Sequence, residues 1–191
     1  MREKPIELRD DRDDRMEVVA EQVEAFDGAD RCAKMSQAGD RLVDILMGGV
    51  VISLDVVCLY DGVHTPVGET DSNDTSIILR LSNGNTRALF TGDLNSKLGT
   101  YLATSNFDLA ADILKVPHHG TEGAAPNEFF ERVHPKAALV PSPKALWLGL
   151  GDGLIHTRSK RIRDYFAEHH IPTYVSGING DVTVVMTANG F

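Results

Sequence analysis

The chain has 191 residues, of which 42% are hydrophobic and 25% are charged, and it carries a formal net charge of −9. This composition is typical of a folded globular protein, and it excludes collagen-like, low-complexity and wholly disordered chains. Because the sequence has neither a run of about 18 apolar residues nor an apolar N-terminal segment, we expect no membrane span, no secretory signal and a cytoplasmic location.

The first residues are predicted to form an arm followed by one helix. Residues 1–15 mix positive and negative charges with almost no apolar periodicity, which indicates a solvated arm, a frayed helix or disorder. Apolar side chains recur at helical spacing within residues 16–26, and Gly28 would end that helix. We therefore divide the chain into a charged arm with a linking helix at 1–38 and one folded unit at 39–191.

Strands and helices are predicted to alternate through the folded unit. Runs rich in β-branched residues indicate strands, and apolar side chains three and four residues apart indicate helices. Asn-Gly pairs at 83–84 and 179–180 each predict a turn between two strands. The predicted strands cover 50–60, 76–81, 86–93, 136–142, 172–177 and 181–186, with one more that starts at 111 and runs into a loop, and the predicted helices cover 95–103, 126–133 and 159–170. This alternation predicts an α/β or α+β class with a substantial sheet.

Two of the predicted strands end in residues that suit a metal ion or an anion. The strand L-F-T-G-D delivers the carboxylate of Asp93 at its tip, and the segment L-K-V-P-H-H-G delivers His118 and His119. Carboxylate and imidazole groups are ligands of zinc and related ions, and such ions polarise phosphates and activate water. The alternative for Asp93 is structural, because Asp is also a favoured residue at the N-terminus of a helix.

The order of the motifs N-D-x-S-I-I-L-R-L, L-F-T-G-D and L-K-V-P-H-H-G resembles the metallo-β-lactamase superfamily. The branch to which it is most similar is the metallo-hydrolase domain of DNA-internalisation competence proteins, over about Gly39 to Val185. The resemblance implies an αββα sandwich of two similar halves. The first metal motif of the family, H-x-H-x-D-H, occurs nowhere in the sequence, and His64 is the only histidine before His118. We therefore expect 39–191 to be the C-terminal half of such a domain.

The resemblance also implies roles for four residues in these motifs. Asp93 matches the aspartate that bridges both ions in two-metal members, and His119 matches the late histidine ligand. His118 would be a further ligand or a catalytic contact to the substrate, and Asn73 lies in the loop that would contact the substrate. The implied cofactor is zinc or manganese, as one or two ions.

A third region of interest is the segment H-T-R-S before the last predicted helix. Competence-type relatives carry a histidine that faces the active site about here, which makes His156 a candidate catalytic residue. Arg158 is a candidate substrate contact, because basic groups near a helix N-terminus suit an anionic phosphate. The alternative is a surface helix that begins with solvated basic residues. Trp147 is a candidate for the rim of the site, with packing in the core as the alternative.

Two functions follow as expectations. The first is a metal-dependent hydrolase, phosphodiesterase-like or nuclease-like, in which metal-bound hydroxide attacks a phosphoester or nucleic-acid substrate once the site is completed. The second is a catalytically inactive half-domain that acts as an interaction or regulatory module, as a homodimer or with a separate N-terminal half. A stand-alone nucleic-acid-binding module is disfavoured by the net charge of −9.

Overall fold

The structure is a computed structural model that describes residues 41–47, 50–60, 65, 72–150 and 158–191. The predicted arm and linking helix at 1–38 lie outside the described residues, as do His64 and His156. None of the helices in the described part of the chain has the length and apolar character needed to cross a bilayer. The cytoplasmic location stays a prediction.

Seven strands form one mixed sheet, and their spatial order is their order along the chain. The strands are β1 (Arg41–Met47), β2 (Val50–Cys58), β3 (Ile78–Asn83), β4 (Thr86–Phe90), β5 (Ile113–Lys115), β6 (Ala137–Val140) and β7 (Thr173–Val175). The helices are α1 (Ser96–Thr104), α2 (Asn127–Val133), α3 (Lys144–Leu148), α4 (Lys160–Glu168) and α5 (Ser176–Asn179), and two 3₁₀ turns cover Ser72–Thr75 and Pro117–Gly120. The predicted α/β class is confirmed, whereas the αββα sandwich stays a prediction.

The sheet changes its pairing at β4. Strands β1 to β4 pair antiparallel, and β4 to β7 pair parallel through connections that contain α1, α2 and α4. The predicted β3–β4 hairpin is confirmed, with Asn83 opposite Thr86 and a two-residue turn between them. Gly84 in this turn has a φ of 57°, and a Cβ there would lie 2.9 Å from Ala188, so this position requires glycine.

The main core lies between the helices and one face of the sheet. Buried side chains of β3 to β7 meet buried apolar side chains from α1 to α4 in one cluster. The helix predicted at 159–170 is confirmed as α4, and its residues Ile162, Tyr165 and Phe166, which lie on one side by their helical spacing, are all buried in this core. This packing fixes the ends of β4 and β5, which carry the candidate site residues.

The prediction of a strand at 181–186 is wrong. The Asn179-Gly180 pair does not connect two strands, because Ser176–Asn179 form the short helix α5 and the side-chain oxygen of Asn179 accepts a hydrogen bond from the amide of Val175. The segment that follows has no regular secondary structure, and part of it packs on the opposite face of the sheet. There Met186 packs against Ala88 and Ile113, so the apolar alternation in this segment reflects packing on a face and not a strand in the sheet.

Candidate functional site

The T-G-D segment is a tight turn at the end of β4. Thr91 is fully buried, and its hydroxyl donates a hydrogen bond of 2.7 Å to the backbone oxygen of Lys115 in the neighbouring strand. Gly92 has a φ of 55°, and a Cβ on it would lie 2.8 Å from the Oγ of Ser76. That Oγ accepts a hydrogen bond of 3.1 Å from the amide of Asp93. These contacts hold the turn so that the Asp93 carboxylate lies at the surface, where the side chain is 39% exposed.

The structural alternative for Asp93 does not apply, because another carboxylate serves the helix that follows. Asp74, which is buried, accepts hydrogen bonds at Oδ1 from the backbone amides of Asn95 (3.2 Å) and Leu98 (3.3 Å) at the start of α1. A carboxylate at this end of a helix satisfies free N–H groups and interacts favourably with the helix dipole. Sequence reasoning missed this role of Asp74, although Asp74 stands inside the first motif.

The H-H-G segment holds both histidines in an unusual backbone conformation. His118 (φ 46°, ψ 44°) and His119 (φ 56°, ψ 18°) lie in the left-handed region, which costs roughly 1–3 kcal/mol per non-glycine residue. The hydroxyl and the amide of Thr121 both donate to the backbone oxygen of His118 and hold the turn. Strain of this kind is common at ligand sites. The turn ends the strand and gives two consecutive histidines a left-handed backbone conformation.

Trp147 lies beneath this turn rather than at the rim. Only 5% of the residue is exposed, and a Cβ on Gly120 would lie 2.8 Å from the Cζ3 of its indole ring. Gly120 also has a φ of 70°. The packing alternative for Trp147 is therefore confirmed, and the interpretation as a rim residue is wrong.

The structure brings Asp93 and His119 together. The Nε2 of His119 lies 3.6 Å from the Oδ2 of Asp93, and the Nδ1 of His119 lies 2.7 Å from the backbone oxygen of Pro141. Because a carbonyl oxygen only accepts hydrogen bonds, Nδ1 carries the proton, and in the neutral ring the lone pair is on Nε2. Histidines that bind a metal through one ring nitrogen usually donate a hydrogen bond from the other to a carbonyl or carboxylate, so the orientation of His119 is compatible with a ligand at Nε2.

Lys115 adds a positive charge on the other side of Asp93. Its Nζ lies 3.5 Å from the Oδ1 of Asp93 and donates a hydrogen bond to the backbone oxygen of Gly92. Burial lowers the pKa of Lys115, and the nearby carboxylate of Asp93 offsets part of that effect. The carboxylate thus lies between an ammonium group and an imidazole. Sequence reasoning missed Lys115, whose position at the end of β5 beside β4 could have indicated it.

The structure gives less direct information on the remaining candidate site residues. Asn73 is half-buried, and its backbone oxygen accepts hydrogen bonds from the amide (3.1 Å) and the hydroxyl (2.6 Å) of Ser76, so it supports the turn behind Asp93. A contact between Asn73 and a substrate stays a prediction. Arg158 is exposed shortly before α4, and no hydrogen bond joins it to Asp93 or His119. The position of His156 lies outside the described residues.

The donor atoms of Asp93 and His119 suit zinc or manganese, because carboxylate oxygen and imidazole nitrogen bind both metals. Two protein ligands are fewer than the three or four of a typical zinc site. Within the ranges that the structure describes, no three His, Cys, Asp or Glu side chains lie close enough together to hold a metal ion. The pair therefore fits part of a metal centre, and further donors are needed to complete it.

Comparison with known proteins finds a similarity over part of the chain. Over 110 residues the sequence is 26% identical to ComE operon protein 3 of Bacillus subtilis (strain 168). These residues make up 58% of this chain and 13% of that protein, so the chain corresponds to a small part of its length. No protein-family model matches the chain. The chain is therefore similar over part of its length to ComE operon protein 3, and membership of the metallo-β-lactamase superfamily stays a proposal.

Proposed function

We propose that the chain is the C-terminal half of a metal-dependent phosphodiester hydrolase of the metallo-β-lactamase type. The observation that carries this proposal is the pair formed by Asp93 and His119, with 3.6 Å between carboxylate and Nε2 and with the other ring nitrogen held by a carbonyl. The order of the motifs and the similarity to ComE operon protein 3 support the same assignment.

Each residue of the site has a part in this proposal. Asp93 and His119 would hold a zinc or manganese ion, and groups outside the described residues would add the remaining donors. When bound, the metal supplies Lewis acidity that polarises a phosphate and lowers the pKa of water. The carbonyl of Pro141 fixes the orientation of the His119 ring. His118, His156 and Arg158 are proposed to contact the phosphate.

The test is titration of the protein with zinc and with manganese by calorimetry. We expect micromolar binding that is lost in Asp93→Ala and in His119→Ala. Asp164→Asn and His134→Asn are matched controls, because Asp164 pairs with Lys160 on the surface and His134 ends α2 in a left-handed conformation that Asn tolerates. Equal affinity in all five proteins would refute the assignment, and binding lost only in the site variants would justify phosphodiesterase assays.

A second candidate function, an interaction module, is favoured by exposed aromatic side chains on the sheet face opposite the helices, of which the described segment around Met186 covers only a part. Leu79, Phe90, Lys115, Leu139 and Tyr174 are neighbours across β3 to β7 on the face opposite the helices. Phe90 is 41% exposed and Tyr174 is 43% exposed, although both belong to a sheet face. Such a row suits a second copy of the chain or a separate N-terminal half.

Sedimentation of the protein alone separates these two functions. A dimer that Phe90→Lys converts to a monomer would support the interaction module, with Leu150→Lys as a control, because Leu150 is also exposed but does not belong to this row. A monomer that binds metal would favour the hydrolase. A monomer that binds no metal would indicate that this row of side chains binds a different partner chain.

A further inference from the structure

The two carboxylate oxygens of Asp93 have different neighbours. Oδ2 lies 3.6 Å from Nε2 of His119, whereas Oδ1 lies 3.5 Å from Nζ of Lys115. No third His, Cys, Asp or Glu side chain in the described ranges completes a metal-binding group with Asp93 and His119. An imidazole therefore lies on one side of the carboxylate, and an ammonium group lies on the other.

The separation on the imidazole side fits one ion between the two atoms. Metal bonds of about 2.0–2.2 Å to an imidazole nitrogen and a carboxylate oxygen, at a tetrahedral angle, place the two donor atoms about 3.3–3.6 Å apart. The 3.6 Å between Nε2 and Oδ2 lies at the upper end of this range. The Nδ1 of His119 is 2.7 Å from the backbone oxygen of Pro141, and this contact keeps Nε2 on the side of Asp93.

The other side of the carboxylate already carries a cation that belongs to the protein. Nζ of Lys115 also donates a hydrogen bond to the backbone oxygen of Gly92, so two acceptors hold the ammonium beside the turn. An ion on Oδ1 would lie about 2.1 Å from that oxygen and therefore close to the ammonium, and cations this close repel each other. A second ion bridged by Asp93 would have to displace Lys115 first.

The Lys115 ammonium keeps one donor for a ligand. An ammonium carries three N–H groups. Gly92 and Asp93 engage two of them, and the third has no acceptor among the described residues. The Lys115 side chain is 24% exposed, so a ligand can reach it from solvent. Phosphate oxygens accept strong hydrogen bonds from charged donors, and in two-metal enzymes the second cation neutralises charge on the same phosphate.

We propose that the site combines one metal ion with the ammonium of Lys115, which serves as the second cation and binds the phosphate of the substrate. Oδ2 of Asp93 and Nε2 of His119 hold the ion, and Lys115 stays beside Oδ1. Asp93 then binds one ion through one oxygen, which differs from the bridging role that the resemblance implies. This inference rests on the proposed function and adds to it a substrate contact outside the predicted site residues.

The first test is a crystal structure of the protein with zinc. We expect one ion within about 2.3 Å of both Oδ2 of Asp93 and Nε2 of His119. Nζ of Lys115 should remain within about 4 Å of Oδ1. Two ions bridged by Asp93 would overturn the inference and leave the proposed function intact. No ion at Asp93 would overturn both, so the two failures can be told apart.

The second test is a ³¹P NMR titration of the zinc-loaded protein with dimethyl phosphate. Lys115→Met should weaken binding of this phosphodiester about tenfold without weakening zinc binding, and Lys115→Arg, which keeps the charge, should retain most of the affinity. Lys136→Met is the matched control, because it removes a positive charge at the opposite end of the sheet, where Lys136 pairs with Asp112. If Lys115→Met does not fold, Lys115→Gln gives the same comparison. Equal dimethyl phosphate affinity in the wild type and the uncharged variant would contradict the substrate contact.

Discussion

Replacing Gly92 by alanine probes the turn that presents Asp93. The added Cβ would lie 2.8 Å from both Cβ and Oγ of Ser76, in a residue whose φ is 55°. A left-handed conformation costs a non-glycine residue roughly 1–2 kcal/mol. Displacement of Ser76 also weakens the hydrogen bond from the Asp93 amide, which contributes about 0.5–1.5 kcal/mol. We expect Gly92→Ala to lower the free energy of unfolding by about 2–4 kcal/mol.

A double-mutant cycle separates the two contributions. Ser76→Gly removes both atoms that the new Cβ would meet, and the next atom of residue 76, its Cα, lies at an ordinary 3.8 Å. In that background Gly92→Ala should cost only the backbone contribution of roughly 1–2 kcal/mol. The four proteins are compared by urea denaturation, and we expect a coupling free energy of about 1–2 kcal/mol.

The cycle has clear outcomes that would refute this reasoning. If Gly92→Ala costs the same in both backgrounds, the contact with Ser76 does not destabilise the turn. If Gly92→Ala is neutral in the wild-type background, then the left-handed conformation of residue 92 is not required. Both outcomes concern stability alone, so they can be judged whether or not the protein binds a metal.

Three further predictions concern the surroundings of the site. Thr91→Val should lower the free energy of unfolding by about 1–2 kcal/mol in urea, because the carbonyl of Lys115 loses the hydrogen bond from the buried Thr91 hydroxyl, and an unchanged midpoint would argue against that bond. Lys115→Met should strengthen zinc binding severalfold in calorimetry, since it removes an ammonium 3.5 Å from Asp93, and weaker binding would count against the proposed site. Burial raises the pKa of Asp112, but hydrogen bonds from Lys136 and from the backbone amide of Arg87 lower it by more than burial raises it. The folded-state pKa of Asp112 therefore lies below its ordinary value of 3.8. The stabilisation is therefore present above pH 3.8 and is lost as the pH falls through the folded-state pKa, and Asp112→Asn should reduce the dependence of unfolding free energy on pH in this acid range. Identical pH profiles for the wild type and this variant would exclude that contribution.

Local sequence patterns predicted most of the secondary structure because those patterns act over a few residues. The hairpin at Asn83-Gly84 follows from a turn that needs a positive φ, and the inner face of α4 follows from helical spacing. The same reasoning predicted a strand at 181–186 wrongly. Alternating apolar residues indicate only that one side of a segment is buried, and here that side packs on the sheet face near Met186.

The sequence by itself predicted that Asp93 and the two histidines follow the ends of strands, because each motif ends a short apolar run that is consistent with a buried strand. Only the tertiary structure decided which of them meet. The pairing of β4 with β5 brings Asp93 to His119 and Lys115, and the loop after β6 brings the Pro141 carbonyl that orients the imidazole. Asp74 caps a helix that begins more than 20 residues later. These contacts join residues far apart in the chain, and their distances depend on how the whole sheet twists and packs, which no local pattern records.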